Sequence, residues 1–94
     1  MNQQQQAILA RDMIQMIREY RDDDIVLAYL ESFACAVGLG INDKTVVNWL
    51  DIAGICDQRY YSLRYGDPVP LNTELLDECE KQMRPYLSHQ EFRD

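Results

Sequence analysis

Four groups of side chains in this sequence have types that could do chemistry. Cys35, Cys56 and Cys79, with His89 as the only histidine, could supply sulfur and imidazole to a metal. The cysteines stand 21 and 23 residues apart and form no C-x-x-C pair. Each has apolar neighbours or lies on a helical stripe, so they read as small core residues and no metal is expected. Asp22, Asp23 and Asp24 form a second group. No further acid follows at calcium-loop spacing, and a helix begins next to them, where carboxylates cap free N–H groups and favour the positive end of the dipole. Asp77, Glu78 and Glu80 form a third. Neighbouring acids on one helix point in different directions, so they read as a solvated face rather than a carboxylate pair. No G-x-S-x-G, P-loop or H-E-x-x-H is present; the chain reads as non-enzymatic, with no cofactor.

The fourth group is Arg59, Tyr60, Tyr61, Arg64 and Tyr65, all within one short helix. Tyrosine and arginine dominate protein-interface hot spots because each buries a large area and keeps a polar end. At least one of these tyrosines is expected to fill the core. Asp67 and Pro68 follow. An exposed X-Pro bond interconverts slowly, so a prolyl isomerase could act on or hold Pro68; the alternative is a stiff loop between helices. The expected protein-binding set is therefore Arg59, Tyr60, Tyr61, Arg64, Tyr65, Asp67 and Pro68.

These residues must be positioned by helices, because the apolar spacing is three and four throughout. Leu9, Met13, Met16, Ile17 and Tyr20 place a stripe on a helix over about 3–20, within an N-terminal helical segment at 1–22. Val26, Tyr29, Leu30, Phe33 and Val37 do so over 25–37, with Gly38 and Gly40 ending that helix. Asn42, Asp43 or Thr45 is expected to cap a third helix over 45–53, with Val46, Trp49, Leu50 and Ala53 inward. Gly54 turns the chain into a fourth helix over 57–65. Gly66 to Pro70 reads as an extended loop. Asn72 or Thr73 caps a fifth helix bearing Leu75, Leu76, Cys79 and Met83, which Pro85 stops or kinks. Ser88 and Glu91 have capping-box spacing for a last turn within 72–94. The expectation is one all-α domain over 1–94, with five helices. A chain of 94 residues buries about 65% of its unfolded surface, enough for one small core.

Nine Lys and Arg oppose sixteen Asp and Glu, for a net charge of −7. Residues 43–66 hold Lys44, Arg59 and Arg64 against Asp43, Asp51 and Asp57, and are neutral. Residues 1–42 have three arginines against six carboxylates, and 67–94 three cations against seven. This balance opposes direct nucleic-acid binding, which gathers cations on phosphates. It would steer the chain toward a basic protein surface. Residues 1–6 have neither a basic nor an apolar region of signal-peptide type, and no apolar run is long enough to span a bilayer. With reduced thiols, a cytoplasmic setting is expected.

The stretch 46–70 resembles the helix-turn-helix of Cro/Xre-type phage repressors. Ala53-Gly54-Ile55 stands at the turn, Tyr61-Ser62-Leu63 in the second helix, and Gly66 closes it twelve positions after Gly54. The resemblance implies a helix-turn-helix-like unit over 45–66, with Gln58, Arg59 and Ser62 projecting toward the major groove. Leu50 stands where the family usually has alanine, and Asp57 sits at the helix start that would face phosphate. In size, acidity and helical character the chain is also similar to the small anti-RecBCD proteins of lambdoid phages. That similarity implies a host DNA-processing enzyme, a RecBCD-type recombination nuclease, as partner, inhibited or modulated without catalysis in the host cytoplasm. The alternative is a Cro/Xre-type transcriptional regulator. The regulator reading implies a dimer, while the sequence itself gives no stoichiometry.

Overall fold

The computed structural model describes residues 1–41, 44–66 and 68–87. It contains α1 (Gln3–Glu19), α2 (Asp24–Gly40), α3 (Trp49–Tyr65) and α4 (Thr73–Met83), followed by a 3₁₀ turn at Arg84–Tyr86. There is no strand among the described residues. Each α-helix starts at a side chain that accepts free amide hydrogens. Asn2 accepts from the Gln5 amide at 2.8 Å, and the Gln5 side chain accepts from the Asn2 amide at 3.0 Å, a reciprocal capping box. Asp23 caps α2 through the Val26 amide, and Asn72 caps α4 through the Leu75 amide, both at 3.1 Å. Asn48 caps α3, accepting from Leu50 and Asp51 at 3.1 and 3.3 Å. The cap is therefore not Thr45; Asn42 and Asp43, the other expected caps, lie outside the described residues, as do the expected turn at 89–93, Ser88 and His89. Pro85 stops α4 as expected.

Among the described residues the expected five helices are four, because the third and fourth are one. Gly54 lies inside α3, and no turn separates the two halves of the expected helix-turn-helix. The reason is phase. Leu50, Gly54, Asp57 and Tyr61 are exposed and step by three or four, as do Arg64 and Tyr65 from Tyr61, while Trp49, Ile52, Ala53, Ile55 and Cys56 are buried. One unbroken helical period accounts for both sets, and Gly54 falls on the solvent side. Its helix-interior cost of about 1 kcal/mol is outweighed by burial on the opposite side. Leu50, expected inward, is exposed for the same reason.

Gly38 does not end its helix; α2 continues past it and stops at Gly40, the second of the two expected glycines. Gly38 instead allows a close crossing. A Cβ there would lie 2.9 Å from the Cβ of Trp49. At the other end, Asp24 of α2 pairs with Arg64 of α3 at 3.3 Å. These two contacts make α2 and α3 antiparallel, and theirs is the most extensive helix pairing in the fold. Gly66 is the only described residue with positive φ, at 79°, and terminates α3.

Across this pair lie α1 and α4. Ala7, Ala10, Met13, Ile14 and Ile17 are buried from α1, and Leu76, Cys79 and Met83 from α4. The α1 stripe is rotated from the expected one, so that Met16 and Tyr20 are partly exposed. Gln6 is fully buried. Its amide nitrogen donates to the Lys44 carbonyl at 3.2 Å, and its oxygen accepts from the Val46 amide at 3.1 Å. A buried neutral amide with both ends used costs little, and it fastens the segment before α3 to α1. Asp77 and Glu80 are not merely solvated. Arg18 reaches both, at 2.7 and 3.1 Å, joining α1 to α4.

Three glycine substitutions read this architecture with different signs. Gly54→Ala should raise stability by about 0.5–1 kcal/mol, since it removes a helix-interior glycine and its Cβ would meet nothing within 4 Å. Gly66→Ala should lower it by about 1 kcal/mol, and Gly38→Ala by about 1–3 kcal/mol through overpacking against Trp49. Urea denaturation of the three variants checks this; a loss in Gly54→Ala would mean that α3 bends there.

Candidate protein-binding face

Of the expected site residues, α3 turns some inward. Arg59 is about one-sixth exposed in its side chain. Its Nε donates to the Arg21 carbonyl at 3.0 Å, its Nη1 to the Val69 carbonyl at 2.9 Å, and its Nη2 to Asp22. One guanidinium thus ties the α1–α2 turn and the segment before α4 to the middle of α3. Ser62 is buried, and its Oγ accepts from the Val69 amide at 3.1 Å. The expected groove-facing trio is therefore not a trio: Gln58 is exposed, whereas Ser62 is buried and Arg59 is engaged within the fold.

The tyrosines divide. Tyr60 is half-buried and packs on the core, as expected of at least one of them. Tyr61 and Tyr65 are 50% and 68% exposed. They stack, with centroids 5.4 Å apart and planes at 22°, and Tyr60 meets Tyr61 edge-on at 5.3 Å. Arg64 is exposed and holds Asp24. Pro68 is exposed, and Asp67 lies outside the described residues.

The apolar spacing of α2 predicts Tyr29 and Phe33 inside. They are outside, at 75% and 49% exposure, with Ile25 at 64% on the same stripe. The physical reason is that α2 has more apolar residues than one face can bury. Leu27, Leu30 and Ala34 fill the side toward the core, and the remainder must face out. A cleft of about 290 Å³ joins the two outward faces, with Ile25, Tyr29 and Ser32 on one wall and Tyr60 and Arg64 on the other. The signal that could have found this is the near absence of charge in α2, where Asp24 and Glu31 are the only ionisable acids and no cation occurs.

The acidic triplet has three separate tasks: Asp22 binds Arg59, Asp23 caps α2, and Asp24 holds Arg64. Among the described residues no group of three or more His, Cys, Asp or Glu side chains could hold a metal. The thiols are dispersed. Burial pushes Cys56 up to about 12 and Cys79 to about 11, with nearby carboxylates adding to each shift. Cys35 is half-buried; burial, and then its hydrogen bond to Glu31, raise it as well. No helix among the described residues is long and apolar enough to cross a membrane. No protein-family model matches the chain, and neither a curated protein nor a solved structure matches it.

Arg59→Lys keeps the charge but loses the fork that reaches three acceptors, and should cost about 1–3 kcal/mol in urea denaturation. Arg64→Ala removes an exposed pair and should change stability by no more than about 1 kcal/mol. For the thiols, Cys35 should react first with a disulfide reagent, and Cys56 and Cys79 only on unfolding. An unfolded thiol ionises near 9.0. Cys56 and Cys79 keep their protons above that value in the folded state, so stability is full below it and falls as pH rises from about 9 toward 11 and 12. Urea midpoints across this range check the fall, which should be shallower in Cys79→Ala.

Proposed function

We propose that this chain is a non-enzymatic protein-binding module that inhibits or modulates a DNA-processing enzyme. The observation that carries the reading is the exposed, mutually stacked pair Tyr61 and Tyr65 beside Arg64. Two large aromatic rings held rigid on a helix offer contact area at low conformational cost, as hot-spot residues do. The surrounding acidity has the sign of a DNA backbone, so a nucleic-acid channel is a suitable place for it to dock. The similarity to small anti-RecBCD proteins supplies the enzyme class, a host recombination nuclease. Groove reading of DNA is not part of the proposal. It would need two helices around Gly54, and α3 is continuous there.

The test is a purified RecBCD-type nuclease degrading linear duplex DNA. Added chain should change the rate, and Tyr61→Ser/Tyr65→Ser should need about tenfold more protein for the same effect. A gel shift at low salt should show no retention of free duplex. An unaltered nuclease, or a DNA complex that weakens steeply with salt, would overturn the proposal.

A further inference from the structure

We infer that the seam between the outward faces of α2 and α3 seats a cationic, amphipathic segment of the partner protein, a deepening that rests on the protein-binding reading above. Three observations converge on it. Ile25, Tyr29 and Phe33 recur every four residues, so they form a straight exposed row on α2. A helix that is apolar all round is normally covered all round, and here only its inner side is covered. The row is continuous with the tyrosines of α3. Tyr29 and Tyr60 line one cleft, and Tyr60 touches Tyr61, which stacks on Tyr65.

Charge off this row selects the occupant: Glu31, two positions from both Tyr29 and Phe33, lies on another side of α2. Glu31 stands one turn before Cys35 on α2 and Asp57 beside Cys56 on α3, and both carboxylates raise these two thiols. Glu31 accepts hydrogen bonds from Ser32 and Cys35. Neither carboxylate has a cationic partner among the described residues. A second copy of the chain would set these acids against their own equivalents and one charge of −7 against another. Nucleic acid would meet the same repulsion. A segment with lysines or arginines flanking apolar residues satisfies both demands. Its apolar side covers Ile25, Tyr29 and Phe33, and its cations reach Glu31 and Asp57 or lie over the exposed tyrosine rings. This is the helix-in-groove mode, with apolar anchors at helical spacing.

The experiment uses the full chain, labelled with ¹⁵N, and a synthetic Leu/Lys amphipathic peptide of about 18 residues, roughly five helical turns. The expected result is amide shifts concentrated at 25–33 and 57–65. Affinity should drop about tenfold in Tyr29→Ser/Phe33→Ser and again in Glu31→Gln/Asp57→Asn. Tyr29, Phe33 and Asp57 are exposed and Glu31 is half-buried, and circular dichroism with a urea midpoint checks that both variants stay folded. Equal binding of a peptide with the same lysines but no apolar face would overturn the inference, as would shifts elsewhere. Light scattering that finds a dimer dissolved by Phe33→Ser would assign the seam to a second copy and overturn it too. Failure of the two readings is separable. If the peptide binds the seam and the nuclease is unaffected, the seam inference stands and the enzyme proposal falls. If Tyr61→Ser/Tyr65→Ser relieves inhibition but the peptide does not bind, the reverse holds.

Discussion

The fold depends on one close crossing. Where Gly38 meets Trp49, the backbone of α2 and the first turn of α3 approach so nearly that a methyl group would not fit without displacement. That contact sets the depth and register of the helix pair at one end. Because α3 then runs unbroken for 17 residues, the register is carried about 25 Å to the other end. There Asp24 meets Arg64, and Tyr60 closes the cleft against Tyr29. The outward rows of the two helices lie side by side because they share this origin. The crossing has an associated cost. The buried indole N–H of Trp49 has no hydrogen-bond partner among the described residues, a penalty of about 1–3 kcal/mol. Packing around the indole must outweigh it.

Two long polar side chains do for the irregular backbone what Gly38 does for the helices. Gln6 presents a donor and an acceptor to the segment before α3, and Arg59 presents a fork of donors to the α1–α2 turn and to the segment before α4. Neither works through charge alone. Loop carbonyls and amides taken from water need partners, and a side chain rooted in a helix supplies them at a fixed place. The α1–α4 layer is joined differently, by Arg18 between Asp77 and Glu80, which are more exposed and so held more weakly.

What the sequence made legible was local. The all-helical class followed from spacing. Asp23 and Asn72 follow from the fit of short polar side chains to helix starts, and Pro85 from its missing N–H. What it hid was set by competition between local and distant terms. Gly54 is a local breaker, but the stripes on either side of it are in phase, and burial on that phase prevails. In α2 almost every position is apolar, so periodicity has no phase to report, and Tyr29 and Phe33 could be assigned to either side. Arg59 and Ser62 read as surface residues by type. Only the path of residues 68–70, which returns to the middle of α3, turns them into internal partners. The exposed tyrosines were legible as a composition, and their company on α2 was not.

The Arg59 clamp also bears on how the face would behave when used. Because one guanidinium grips the α1–α2 turn and the chain beyond α3 at once, the ends of both seam helices are already immobilised before any contact is made. Little ordering entropy then remains to be lost on this side of a complex, and the loss falls on the incoming segment. Association by such a surface is governed by encounter rather than rearrangement. Its rate should follow ionic strength, as the long-range field of an acidic body requires, while the lifetime of the complex is left to the buried aromatic contacts.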